Sequence, residues 1–139
     1  MHTNRRKLVV VGNGMAGARV VEDILQRAPE RFDIVMFGAE PYGNYNRILL
    51  SNVLNGSQAA TDIFMNPLAW YSANGVRLHA GVKATYIDRE RRVVVGAPLH
   101  PEALAYSADA PLVADAPSLS EPYDTVIIAT GSRPFVPPM

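Results

Sequence analysis

The sequence predicts an α/β fold of three layers, with a central parallel sheet and an antiparallel β-hairpin or meander. Two observations predict it. A strand, a glycine-rich turn, a helix and a second strand follow one another over residues 7–37, about the length of one βαβ unit. Later in the chain, two β-branched runs flank a short charged segment, which is typical of a hairpin. At 139 residues the chain has room for one compact domain.

The βαβ unit begins at residues 7–11, a β-branched run typical of a buried parallel strand. Over residues 15–27 apolar side chains recur at helical spacing, with charged side chains on the other face, and Pro29 ends the helix. Residues 33–37 form a second apolar strand. Because such crossovers are nearly always right-handed, we expect the two strands to lie parallel and adjacent.

The hydrophobic pattern is weaker between the second strand and the hairpin. Asn66 followed by Pro67 is typical of a helix N-cap and first helical residue, so a short helix is predicted over residues 68–74. Shorter elements are predicted on either side of it, a helix over 48–54 and a third strand over 76–79.

The hairpin is predicted from residues 82–87 and 92–95, with a charged tip between them. Residues 97–122 are rich in Ala and Pro and show no period, so we expect a long connection within the same domain. A final buried strand is predicted over residues 123–129.

Composition excludes several classes of function. Lys and Arg together number 13, as do Asp and Glu, so neither nucleic acid nor an anionic membrane is an expected partner. Cysteine is absent, which excludes disulfides and iron–sulfur ligation by this segment. No apolar run approaches the ~20 residues of a membrane span, so we expect a soluble cytoplasmic domain. The three histidines are widely separated and no nucleophile–base set is present, so no metal ligand or catalytic residue is assigned.

Residues 12–17 carry the main functional motif, GNGMAG, which matches G-x-G-x-x-G. Gly12 permits a tight turn, Gly14 lets a pyrophosphate approach the backbone, and Gly17 lets the helix pack closely on the sheet. The motif follows a predicted strand and begins a predicted helix, whose free N–H groups favour phosphate. This context predicts a Rossmann-like FAD/NAD(P)-binding fold. The candidate cofactor-binding residues at the turn are Gly12, Gly14, Met15, Ala16 and Gly17.

Such sites also use an acidic residue near the end of the second strand, which binds the adenosine ribose. Gly38 follows the strand directly, and Glu40 is the first acid available. Glu40 is therefore the ribose-binding candidate, with a solvated loop acid as the alternative.

Three segments resemble a known family. Residues 8–17, LVVVGNGMAG, resemble the FAD fingerprint of the two-dinucleotide-domain flavoprotein reductases. Residues 37–51, FGAEPYGNYNRILLS, strongly resemble the assimilatory NAD(P)H-dependent nitrite reductase large subunit, in its FAD-binding N-terminal segment, and more loosely the ferredoxin, rubredoxin and putidaredoxin reductases. Residues 129–134, ATGSRP, are similar to a second signature of the same superfamily, the pyridine nucleotide-disulfide oxidoreductase-like flavoproteins. The likeness covers nearly the whole chain except residues 97–122.

The resemblance implies an extended FAD with its pyrophosphate on the glycine turn and its adenosine near Glu40. Arg47 and Ser51 match the family's Arg and Ser, which lie along the diphosphate and flavin, with a solvated loop arginine as the alternative for Arg47. Thr130 and Gly131 begin a segment that passes close to FAD in such proteins, with a simple strand-end turn as the alternative for Gly131. Related ferredoxin reductases have a lysine where this chain has Asn52, so that lysine's role is not transferred.

The resemblance also implies an enzyme that takes hydride from NAD(P)H onto the flavin and passes electrons towards nitrite, which is reduced to ammonia. NAD(P)H, sirohaem and iron–sulfur sites are expected only in other regions, since the chain ends where a nicotinamide domain is expected. We therefore expect residues 1–139 to be one incomplete FAD-binding domain, inactive alone, whose partners are FAD and the remaining domains of the reductase.

Two alternatives stay open at this point. One is the matching fragment of a ferredoxin- or rubredoxin-type reductase. The other is a non-catalytic Rossmann nucleotide-binding scaffold. The sequence also leaves open the preference for NADH or NADPH, and the oligomeric state, with a homodimer among the alternatives.

Overall fold

The computed structural model describes residues 4–100, 112–132, 135 and 137–138. Within these residues, no helix is long and apolar enough to cross a membrane. The strands are β1 Arg6–Val11, β2 Phe32–Gly38, β3 Asn44–Tyr45, β4 Phe64–Asn66, β5 Val76–Ala80, β6 Val82–Asp88, β7 Val93–Pro98, β8 Leu119–Pro122 and β9 Thr125–Ile128. The α-helices are α1 Met15–Arg27, α2 Leu50–Leu54 and α3 Leu68–Ala73, and 3₁₀ turns span Arg47–Leu49 and Ala60–Ile63.

The centre of the fold is a parallel sheet of four strands in the order β5-β2-β1-β9. The predicted α/β class is confirmed, and so is the parallel pairing of β1 with β2, in which Val9 lies opposite Val35. Both of these strands have a neighbour on each side, so their backbone groups are paired within the sheet.

The two faces of the sheet explain the three layers. Successive side chains of a strand point to opposite faces, and in β1 and β2 both sets are buried. On one face, Leu8 and Val10 pack with Val21 of α1 and Tyr71 of α3. On the other face, Phe37 and its neighbours pack with two residues of the antiparallel sheet, Val82 and Val94. The parallel sheet therefore lies between helices and an antiparallel layer.

The antiparallel layer differs from the sequence-based expectation for residues 97–122. It has three strands in the order β6-β7-β8, and β8 lies inside the segment predicted to be a connection. The segment's polar end forms a strand because β7 pairs with it and because Glu121 Oε1 lies 2.8 Å from His79 Nε2 of β5. Residues 101–111 of the expected connection lie outside the described residues. The last parallel strand spans Thr125–Ile128, which is shorter than predicted.

Asn66 was wrongly predicted as a helix N-cap. It ends β4 instead, and its buried side chain donates a hydrogen bond from Nδ2 to Glu22 Oε1 of α1 at 2.7 Å. The helix α3 begins at Leu68 as predicted, but Pro67 is its N-cap and not its first helical residue. The contact with Glu22 ties the β3–β4 ribbon to α1, close to the glycine turn.

Candidate dinucleotide-binding site

The candidate site lies at the carboxyl edge of the parallel sheet. From β1 the chain continues to β2 and β5 on one side, whereas β9 pairs with β1 on the other side. The strand order therefore changes direction between β1 and β9. In open α/β sheets ligands bind at such a point, outside the carboxyl ends of the strands. The loops that leave these two ends are residues 12–14 and 129–131.

Two glycines of the motif are required by the fold itself. Gly12 has φ 111°, a backbone conformation that side-chain-bearing residues rarely adopt, and a Cβ there would lie 2.2 Å from the carbonyl oxygen of Ala129. A Cβ on Gly17 would lie 2.4 Å from the carbonyl oxygen of Gly12. The β1 loop, the start of α1 and the residue after β9 therefore lie too close together to admit a side chain at Gly12 or Gly17.

Gly14 is different, because a side chain there would have space. Apart from its chain neighbours, a Cβ built on Gly14 would meet no atom of the described residues within 4 Å, and its φ of −81° is accessible to any residue. The absence of a side chain therefore leaves open space in front of the α1 N-terminus. Open space at this position fits a phosphate group that approaches the backbone.

The α1 N-terminus supplies donors for such a group. The first helical hydrogen bond runs from the N–H of Ala18 to the carbonyl oxygen of Gly14 at 3.0 Å. The N–H groups of Met15, Ala16 and Gly17 precede it, so they have no partner within the helix. Met15 and Ala16 are exposed, and the first turn contains no acidic residue. The positive end of the helix dipole is thus available to an anion.

Tyr71 supports this turn in a way that the sequence did not reveal. Its buried hydroxyl donates to Asn13 Oδ1 at 2.7 Å and accepts from the backbone N–H of Asn44 at 3.1 Å. Burial raises the pKa of Tyr71, so the hydroxyl remains protonated and able to donate. Tyr71 also packs α3 on the core. Its hydrogen bond to Asn13 escaped prediction because the two residues are 58 positions apart and no motif links them.

Glu40 follows β2 and lies in a small polar group. The Tyr45 hydroxyl donates to Glu40 Oε2 at 2.7 Å, and the guanidinium of Arg47 pairs with Glu40 Oε1. The same guanidinium lies 5.2 Å from the centre of the Tyr45 ring. The sequence assigned Glu40 to the ribose and Arg47 to the diphosphate side separately. The structure brings the two together, and their contacts with a cofactor stay predictions.

The other candidate residues differ in their relation to the turn. Thr130 lies beside it, since a Cβ on Gly12 would lie 3.1 Å from the Thr130 backbone nitrogen. Gly131 is exposed, with φ 77°, and a Cβ built on it would meet no atom of the described residues within 4 Å apart from its chain neighbours. Ser51 is exposed in α2, where its carbonyl oxygen accepts from the N–H of Asn55 at 3.0 Å. In the described part of the chain, no recorded hydrogen bond joins Ser51 to the glycine turn.

Comparison with known proteins assigns the chain to a family. The sequence profile of the pyridine nucleotide-disulphide oxidoreductase family matches residues 6–139. The chain belongs to this family. The family resemblance found in residues 8–17, 37–51 and 129–134 is therefore confirmed.

Three individual proteins illustrate the similarity. The chain is 41% identical over 135 residues to nitrite reductase [NAD(P)H] of Bacillus subtilis (strain 168), which covers 97% of this chain and 14% of that protein. It is 38% identical to the assimilatory nitrate reductase electron transfer subunit of the same organism, over 97% of this chain and 15% of that protein. Among solved structures, NADH:rubredoxin oxidoreductase from Clostridium acetobutylicum has a TM-score of 0.71 at 23% identity, over 97% of this chain and 30% of that chain. The last likeness shows the fold. The chain spans about one seventh of the length of the first two relatives.

Proposed function

We propose that this chain is the FAD-binding portion of an NAD(P)H-dependent nitrite reductase. The observation that carries the proposal is the open space at Gly14, in front of free helix N–H groups, at the point where the sheet changes direction. The similarity to nitrite reductase [NAD(P)H], at 41% identity over nearly the whole chain, supports the choice of reaction.

In this proposal the chain's residues bind and orient the two phosphates and the adenosine of FAD. The N–H groups of Met15, Ala16 and Gly17 donate to the phosphates at the α1 N-terminus, where no side chain blocks them. Glu40 accepts hydrogen bonds from the ribose hydroxyls at the end of β2, next to β1. The exposed segment at Thr130 and Gly131 passes beside the flavin half.

Bound FAD would supply hydride acceptance from NAD(P)H and onward electron transfer, which no side chain of this chain can provide. The proposal places the NAD(P)H site and the sirohaem and iron–sulfur centres in other regions of a longer protein. This fits a chain without cysteine whose relatives are about seven times as long.

The two alternatives have less support. A fragment of a ferredoxin- or rubredoxin-type reductase has the same fold, but those structures are less similar in sequence, at 23% identity for the rubredoxin oxidoreductase. A non-catalytic scaffold has no need for open space at Gly14, because no contact within the described chain requires a glycine there.

The test is a titration of the purified chain with FAD and, separately, with FMN, followed by flavin fluorescence and by melting temperature. FMN has the same flavin ring but lacks the adenosine half. We expect saturable quenching and a rise in melting temperature with FAD and a much weaker response with FMN, because a ligand that binds only the folded state stabilises it. No response to FAD would refute the proposed cofactor site. Equal responses would place binding at the flavin rather than at the glycine turn.

The isolated chain should form no ammonia from nitrite and NAD(P)H, with or without added FAD. Ammonia above the level of a heat-denatured sample would contradict the proposal that nitrite reduction requires other regions of a longer protein.

A further inference from the structure

The carboxylate of Glu40 is held by neighbours on both of its oxygens. The Tyr45 hydroxyl donates to Oε2 at 2.7 Å, and the Arg47 guanidinium pairs with Oε1. The backbone of Glu40 is fixed as well, because its carbonyl oxygen accepts from the N–H of Gly81 at 3.0 Å. The residue assigned to the ribose therefore has a defined orientation before any ligand arrives.

The two partners of Glu40 differ in rigidity. Tyr45 belongs to β3, where it pairs with Phe64 of β4, and the two rings meet edge to face at 6.1 Å. The next residue, Asn46, donates from its backbone N–H to the carbonyl oxygen of Ile63 at 2.9 Å. The Arg47 side chain is longer and 55% exposed. The hydroxyl of Tyr45 is thus the donor whose position the fold determines.

Tyr45 is also a permanent donor. Burial, the hydrogen bond to Glu40 and the charge of that carboxylate raise the pKa of Tyr45 to about 12. The hydroxyl therefore keeps its proton at neutral pH. An ionised carboxylate has about four acceptor positions, so Glu40 can accept further hydrogen bonds while it keeps both neighbours. Its side chain is 35% exposed, which leaves it accessible to a ligand.

We propose that Tyr45 is a positioning residue for Glu40, whose carboxylate it orients to accept hydrogen bonds from the 2′- and 3′-hydroxyls of an adenosine ribose. The inference rests on the proposed FAD site and assigns a role that the glycine motif does not contain. Tyr45 makes no contact with the nucleotide in this account. It acts by holding the acceptor in place, so its removal should matter only when the ligand has ribose hydroxyls.

The experiment combines one substitution with two ligands. The Kd of the full chain is measured calorimetrically for ADP and for 2′,3′-dideoxy-ADP, in wild type and in Tyr45→Phe. The matched control is Tyr42→Phe, because Tyr42 also packs edge to face against Phe64, at 6.2 Å, but is not among the recorded partners of Glu40 in the described chain.

We expect Tyr45→Phe to raise the Kd for ADP about tenfold, as for loss of a hydrogen bond to a charged group, and to change the Kd for dideoxy-ADP by less than about twofold. Tyr42→Phe should change neither. An equal loss for both ligands, or no loss for either, would overturn the role of Tyr45 and leave the site itself intact. Absence of ADP binding by the wild-type chain would overturn both the site and this inference.

A second background guards against a folding defect. In Glu40→Gln, whose Kd for ADP should already be raised, Tyr45→Phe should add less than about twofold, because its effect passes through the carboxylate. A further tenfold loss in this background would show that Tyr45 acts by another route.

Discussion

The substitution Gly14→Ala tests whether glycine is needed at this position for folding or for ligand binding. Among the residues that the structure describes, the new Cβ would meet no atom within 4 Å apart from its chain neighbours, and the φ of −81° suits alanine. Alanine is a poorer N-cap than glycine, which costs about 0.5–1 kcal/mol, but it also reduces the entropy of the unfolded chain, which stabilises by about 0.4–1 kcal/mol. The free energy of unfolding of Gly14→Ala should therefore lie within about 1 kcal/mol of wild type.

The affinity of Gly14→Ala for FAD, unlike its stability, should fall. The added methyl group occupies the space through which a phosphate reaches the N–H groups of α1, and each charge-assisted hydrogen bond lost costs about 1.5–3 kcal/mol. The Kd for FAD should rise at least about tenfold. The contrasting variant is Gly12→Ala, in which φ is 111° and the Cβ would lie 2.2 Å from a backbone oxygen. Strain and overpacking there should cost on the order of 3 kcal/mol of stability or more.

The assays are urea unfolding, extrapolated linearly to zero denaturant, and FAD titration of the same preparations. Wild-type FAD affinity in a folded Gly14→Ala chain would refute the idea that phosphates approach this residue. A loss of stability in Gly14→Ala equal to that in Gly12→Ala would refute the steric argument itself.

Further substitutions test the packing of the core and of the site. Tyr71→Phe leaves the backbone N–H of Asn44 without its hydroxyl partner, so we expect a loss of about 1–3 kcal/mol in urea unfolding. Gly96→Ala would place a Cβ 2.6 Å from the Phe37 ring, and the expected loss of about 1–3 kcal/mol should shrink when Phe37→Leu is added. The pKa of Tyr45 rises from 10.0 to about 12 on folding, so its ionisable hydroxyl contributes stability that is complete below pH 10 and is lost as pH approaches 12. Unfolding of wild type and Tyr45→Phe, measured at pH 9 and pH 11.5, should show a stability difference that falls with pH.

The parallel part of the fold could be predicted because its signals are local. Residues 8–11 and 34–37 are continuous apolar runs, and the glycine turn between them has a recognisable residue spacing. β8 could not be predicted, since Leu119–Pro122 has a proline, a serine and a charged residue and pairs with β7 alone. Its place depends on β7 and on the contact of Glu121 with β5, which are properties of the assembled fold.

The candidate site was likewise predictable only where its signals are local in the sequence. The spacing of Gly12, Gly14 and Gly17 indicated the turn, and Glu40 followed from its position after the second strand. The joining of Glu40 to Tyr45 depends on the β3–β4 ribbon, whose two short strands have no pattern that a sequence window can detect. Pairing between distant short segments depends on tertiary contacts, so the strand propensity of either segment does not predict it.

Amide hydrogen exchange of the chain with and without saturating FAD tests the central claim most directly. We predict that FAD slows exchange at the N–H groups of Met15, Ala16 and Gly17 and at Thr130 and Gly131, where the loops after β1 and β9 meet. Slower exchange confined to other segments, or unchanged exchange at these five residues under saturating FAD, would contradict the assignment of the cofactor to this edge of the sheet.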